Sequence, residues 1–292
     1  MPGSEHKPEC RTGVETRQFR AYCDLHVHTT ASDGSETPEE VVARAVALGL
    51  GAIGITDHDT VGGIDSAQKA ARGRIVVVPG VEISTEEDDR EVHILGYFIN
   101  PLHPLISAKL RELHRQRRER VTEIVRRLQA QGVSITIGEV EKLAHGVVGR
   151  PHIAWILVEK GYASSIDEVF ARWIGRGCPA YVPRARFAPA EAVLLIRKAG
   201  GAPVLAHPAV TKSEGLIERL KAVGLCGIEV DYPEHSKVQR AHLRGLAEKY
   251  GLIPTGGSDY HGPQQRFPLG AALAPLSVIE RLRAAAENRS AS

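Results

Sequence analysis

Short Val- and Ile-rich runs recur along the chain, and most of them break on histidine, aspartate or glutamate: AYCDLHVH, GAIGITDH, RIVVVPGVEIS, EVHILGYF, PVLAHP, CGIEVDYP and LIPTGGSDYH. Separated by helix-patterned stretches of about a dozen residues, such runs predict strands alternating with helices, paired in parallel, their polar ends gathered on one rim. Thr37-Pro38-Glu39-Glu40 predicts a capped helix start and Gly49 its end. The first run delivers Asp24, His26 and His28, with Asp33 just beyond; the second delivers Asp57, His58 and Asp59. Later runs add Glu82, His93, His207, Asp259 and His261. Side chains at i and i+2 of a strand share a face, so His26 and His28 can point at one ion, as can Asp259 and His261.

This donor set holds imidazole and carboxylate without thiolate, which suits manganese, zinc or ferrous iron better than calcium or a structural zinc. Cys10, Cys23, Cys178 and Cys226 form no CxxC pair and read as reduced thiols. The donors are too many for a single ion. Two or three ions sharing carboxylates would hold a hydroxide beside a positively charged cradle for phosphoryl oxygens, the arrangement that hydrolyses phosphate esters. Metal-assisted carbonyl or amide hydrolysis fits the same cluster, so the donors alone leave amidohydrolase chemistry open.

Lys and Arg number 37 against 35 Asp and Glu, so bulk charge selects no partner, and an apolar content of 42% excludes a disordered or collagenous chain. No apolar run approaches the roughly 18 residues of a membrane span, and the expected location is the cytoplasm. No GxGxxG or P-loop stands between a strand and a helix, which disfavours nicotinamide or ATP chemistry. Residues 1–20 read as a flexible leader, 21–100 as the first part of the strand-and-helix unit, 101–185 as an inserted helical domain, and 186–292 as the second part. A monomer without an obligate protein partner is expected.

The blocks DLHVH at 24–28, SDG at 32–34, ITDHD at 55–59, PGVEIS at 79–84, HILG at 93–96, AHP at 206–208 and GSDYH at 257–261 resemble the PHP (polymerase and histidinol phosphatase) phosphoesterase superfamily, in its order. The resemblance implies an α/β fold, a distorted seven-stranded (β/α) barrel with a trinuclear metal site at the C-terminal strand ends. It places His26, His28, Glu82 and Asp259 around a first ion. Glu82 would bridge to a second, completed by His93 and His207, while Asp33, His58 and His261 would hold a third. Two or three divalent ions per chain follow, manganese foremost, with zinc, iron or magnesium as alternatives. Glu82, His207 and Asp259 are the candidate catalytic residues, and His235 reads as a proton donor, a phosphate contact or a plain loop hydrogen-bonding residue.

The helical insertion and the GRPH block at 149–152 resemble most the bacterial branch that removes the 3'-phosphate of nucleoside 3',5'-bisphosphates and degrades RNA from its 5' end. The implied substrates are a nucleoside 3',5'-bisphosphate or a short 5'-phosphorylated RNA, cleaved by in-line attack of a metal-bridging hydroxide. Arg150, His152, Arg184 and Arg186 are candidates for a second phosphate subsite, since guanidinium groups grip phosphate bidentately; Lys212 is a further rim candidate. The Arg-rich run from Lys109 to Arg127 reads either as a solvated face of i to i+4 pairs or as an RNA track. Tyr181, Phe187 and Tyr260 could stack on bases, while Trp155 and Trp173 read as core. The rival functions are a small-monoester phosphatase such as a histidinol phosphatase and a nuclease serving a polymerase or repair complex.

Overall fold

The computed structural model describes residues 20–144, 146–264 and 266–288; the leader expected over residues 1–20 lies outside them but for Arg20. The elements run β1 (Tyr22–Val27), α1 (Pro38–Leu48), β2 (Ala52–Ile55), α2 (Ile64–Ala71), β3 (Val76–Glu87), β4 (Arg90–Tyr97) and α3 (Pro104–Ala130). Next come α4 (Ile137–Leu143), α5 (Arg150–Glu159), α6 (Ile166–Val169) with a π turn over Phe170–Ile174, α7 (Pro189–Lys198) and β5 (Ala202–Leu205). The chain closes with α8 (Pro208–Thr211), α9 (Ile217–Ala222), β6 (Gly227–Asp231), α10 (Lys237–Tyr250), β7 (Ile253–Gly256), β8 (Ala274–Pro275) and α11 (Ser277–Glu287). Local chemistry sets several of these bounds. Thr37 caps α1 in a reciprocal box with Glu40, Pro38 fits the first turn, and Gly49 ends the helix at φ 76°.

One eight-stranded sheet in the order β7-β6-β5-β4-β3-β2-β1-β8 curls into a nearly closed barrel. The eighth strand is a two-residue piece antiparallel to β1, beyond the seven that the resemblance implied. Closure comes from a bridge between Val27 and Tyr260, in which the His28 N–H donates to the Tyr260 carbonyl at 2.8 Å. Gly257 permits this approach, because a Cβ there would stand 2.4 Å from the Cβ of His26.

The expectation of parallel pairing throughout fails at β4, which runs antiparallel to both β3 and β5. The cause is local. Asp88 and Asp89 both adopt positive φ, 49° and 61°, as a two-residue hairpin turn of type I′ requires, and Glu87 pairs directly with Arg90. The chain therefore descends along β4 and leaves the sheet at the end opposite the metal-competent rim. Helix α3 brings it back: 27 residues make about 40 Å at 1.5 Å per residue. Its first half buries Ile106, Leu110 and Leu113 against the barrel with Val81, Ile94 and Ile196. Its second half buries Val121, Ile124 and Leu128 in a separate core with Ile153, Leu157 and Val169. That second core belongs to a helical layer beside the rim. Phe187 and Tyr260, candidates for base stacking, are instead core residues at 5% and 1% exposure. Phe187 belongs to the core that holds Leu110, Leu113 and Ile196, and Tyr260 to the one that holds Val27, Ile55 and Leu269.

Candidate metal centre

The rim residues converge around Glu82. Its Oε2 lies 3.3 Å from His26 Nε2, 3.2 Å from His28 Nε2 and 3.0 Å from His58 Nδ1. Its Oε1 lies 2.9 Å from His93 Nδ1 and 3.2 Å from His207 Nε2. Asp259 Oδ1 faces the two imidazoles on and just past the end of β1, at 3.3 Å from His26 Nε2 and 3.1 Å from His28 Nε2. Asp33 Oδ1 stands 3.7 Å from His28 Nδ1 and 3.5 Å from His261 Nε2. Three sets of donor atoms each fall within 4.8 Å of one another: His26, His28, Glu82 and Asp259; His28, Asp33, His58 and His261; and His58, Glu82 and His93.

These sets share residues differently from the grouping implied by the resemblance. His28 joins Asp33, His58 and His261, and His58 rather than His207 accompanies Glu82 and His93. His207 stays beside Glu82 but outside all three sets. A divalent cation fits these donors on chemical grounds. His26 Nε2, both ring nitrogens of His28 and of His93, His58 Nδ1, Asp33 Oδ1 and Glu82 Oε2 are buried without a hydrogen-bond partner, a state that costs free energy unless something occupies their lone pairs. Burial works against ionisation of Glu82, but His58, His93 and His26 outweigh it and hold the carboxyl well below its ordinary range.

A second layer holds these donors in place. Glu229, from β6, sits 3.1 Å from His26 Nδ1 and accepts the His207 N–H at 2.9 Å. It thus directs His26 Nε2 into the cluster, as outer carboxylates do for metal-binding imidazoles. The sequence showed it only as one acid within an apolar run. The strand-end aspartates 24, 57 and 59, read as cation-competent, are spent on loops. Asp57 accepts from the Thr29 N–H at 2.7 Å and from Ser32 Oγ at 2.7 Å, shaping the segment that presents Asp33. Asp24 accepts from the Ser258 and Gly270 N–H groups, and burial pushes it up to about 6 despite these bonds. Asp59 takes the Ser84 N–H at 2.8 Å and Arg117 Nε at 2.6 Å. Burial opposes its ionisation, yet Arg117 and Arg184 hold its carboxyl below the usual range. Asp59, His207 and Asp259 all adopt positive φ, at 54°, 28° and 53°, the kind of strain that clusters at functional sites.

A pocket of about 200 Å³ joins the cluster to the helical layer, with Asp33, His58, His93 and His261 on one side and Arg117, Arg120, Arg150, Arg184 and Glu91 on the other. Of the expected phosphate contacts, Arg150 and Arg184 line it. His152 is buried next to Arg150, its Nδ1 accepting the Gly149 N–H at 3.0 Å. Arg186 is exposed and lines a separate cleft with Glu86, Glu87, Asp88 and Asp89 at the hairpin tip. Lys212 is exposed beyond α8, its carbonyl accepting from Arg90. His235 is buried, its Nδ1 3.0 Å from the Val230 carbonyl and its ring 5.2 Å from Tyr232, whose hydroxyl donates to Asp259 Oδ2 at 3.0 Å. Glu91 is a pocket residue that the sequence reading did not single out, whereas Arg117 and Arg120 belong to the basic run read as a solvated face or an RNA track and turn into this pocket instead. The two arginines share a helix face with Leu113, Val121 and Ile124, and a charge on a buried face was the available signal.

The PHP domain family matches residues 24–175, the span that carries DLHVH, Glu82 and His93. The chain belongs to the PHP family. It is 38% identical over 259 residues to the 5'-3' exoribonuclease Rnm of Escherichia coli, covering 86% of this chain and 88% of that one. It is 35% identical over 251 residues to the 3',5'-nucleoside bisphosphate phosphatase of Chromobacterium violaceum, covering 83% and 88%. A crystal structure from Bifidobacterium adolescentis, assigned as a metal-dependent phosphoesterase, superposes with a TM-score of 0.85 at 31% identity, covering 90% of this chain and 96% of that one. With its donor clusters, this PHP protein is a metal-dependent phosphoesterase. Among the described residues no helix is long and apolar enough to cross a membrane.

Proposed function

We propose that the chain removes the 3'-phosphate of nucleoside 3',5'-bisphosphates and releases nucleotides from the 5'-phosphorylated end of short RNA, using two or three divalent ions, manganese foremost. The observation that carries this is the pocket shared by the donor cluster and four arginines. Its arginines carry four positive charges and its neighbouring acids outside the cluster, Asp59 and Glu91, only two negative ones. Arg184 Nε is buried with no hydrogen-bond partner, so a guanidinium stands ready for an anion. Bound divalent ions would polarise phosphoryl oxygens and acidify a water.

Every other contribution belongs to the protein. His26, His28, Asp33, His58, Glu82, His93, His207, Asp259 and His261 hold the ions, and Glu229 and Tyr232 fix their orientation. Arg184 and Arg150 bind the 5'-phosphate and so present the bond on the 3' side of the first ribose to the cluster. One anchor then serves both substrates, because that bond is the one cleaved in each. Relatives named as a 5'-3' exoribonuclease and a 3',5'-nucleoside bisphosphate phosphatase support the same reading.

The test is turnover with added manganese of a nucleoside 3',5'-bisphosphate, a 5'-phosphorylated oligoribonucleotide and histidinol phosphate. The first two should far exceed the third. Arg184→Gln should raise KM for the bisphosphate on the order of tenfold, the scale of a lost charge-assisted contact, and leave a simple monoester little changed. Equal rates on all three, or equal losses in the variant, overturn the proposal.

A further inference from the structure

Glu91 lies near the start of β4 and points its carboxylate into the arginine pocket. Its two oxygens stand 2.7 and 2.8 Å from a single nitrogen of Arg150, Nη2. Arg184 Nη2 is 3.6 Å away and Arg120 Nη1 is 3.8 Å away. Three guanidinium groups, from α3, α5 and the segment before α7, thus gather round one carboxylate, and two of them remain beyond hydrogen-bond distance. Asp59 shows the contrast: it meets Arg117 at 2.6 Å and takes the Ser84 N–H as well. A carboxylate built only to tie elements together would pair as Asp59 does.

We infer that the Glu91 carboxylate stands where a ligand phosphate would share the same arginines, and that it limits how tightly the pocket holds any anion; this rests on the reading that the pocket binds phosphate. The three guanidinium groups around Glu91, those of Arg150, Arg184 and Arg120, all line the pocket. An incoming anion meets Arg184 and Arg120 with donors to spare, but it meets the negative charge of Glu91 at Arg150. Glu91 is then a specificity-determining residue that trades affinity for release: without it, phosphate product would linger.

The probe is inorganic sulfate, titrated into the full-length, manganese-loaded protein while thermal stability is followed. Glu91→Gln keeps the shape and an acceptor oxygen but removes the charge. It should lower the sulfate concentration that gives half-maximal stabilisation on the order of tenfold, the scale of one charge at a partly buried site. The double variant Glu91→Gln with Arg184→Gln should lose that gain, which separates the pocket from sulfate bound elsewhere. Should Glu91→Gln not fold, Glu91→Asp keeps the charge but retracts it by one methylene, and a two- to threefold gain in sulfate affinity, roughly a fraction of the full effect, is expected. An unchanged or weaker sulfate response in the folded variant, or a gain that survives loss of Arg184, overturns the inference. Sulfate binding needs no turnover. A protein that shows the gain but ignores nucleoside bisphosphates refutes the proposed function alone, and one that turns them over without the gain refutes the role of Glu91 alone.

Discussion

Glu229 shows how a residue far from any rim motif can decide whether the rim works. It ties the backbone of His207 to the ring of His26 across the barrel interior. Glu229→Gln should weaken manganese binding by about 10- to 100-fold, the usual range for a lost outer carboxylate. A competition titration against a fluorescent chelator would measure it, and unchanged affinity would remove Glu229 from the machinery. The donors themselves were legible in the sequence because a strand repeats every two residues, so His26 and His28 declare a common face. Glu229 was not, since its partners lie 203 and 22 positions away and nothing local marks an acid inside GIEVD. The same limit explains Asp57 and Asp59: as residue types they suit a cation, and only the fold shows that loops and Arg117 claim them.

Two elements departed from the sequence reading for reasons that can be traced. The β3–β4 hairpin turns on two aspartates, where Asn-Gly or Asp-Gly would have been the recognisable signal, so a reversal passed for another parallel pair. In α3 the basic run divides by face. Arg118, 68% exposed, pairs with Glu141 at 2.6 Å, and Arg115 pairs with Glu119 at 2.7 Å, the solvated arrangement that was one of the two expectations. Arg117, by contrast, turns inward to Asp59 and to Ser84 Oγ. Arg117→Gln leaves the buried Asp59 carboxylate short of its cation and should cost about 3–5 kcal/mol, as breaking a buried pair does. Arg118→Gln should leave the urea midpoint where it was. Equal midpoints for the two variants would contradict this division of the helix.

At the scale of the whole molecule, the barrel and the helical layer meet in α3, which is buried in one core through Leu110 and Leu113 and in the other through Ile124 and Leu128. Leu128→Ala, deep in the helical layer, should cost about 2–5 kcal/mol and shift the entire melt downward, without detaching a separate early step. Calorimetry that resolved two peaks would sink that expectation. The alternation of strands and helices was legible because each strand is short, apolar and punctuated. The path between the two cores was not, because a long amphipathic helix looks the same whether one partner or two cover its buried stripe. A spine common to both lobes has an evolutionary corollary. The roof over the active centre cannot be exchanged as a cassette at its sequence borders, since any graft would have to bring its own replacement for the lower half of the spine, and swapped chimeras should survive only when cut within the barrel strands rather than at the ends of the roof.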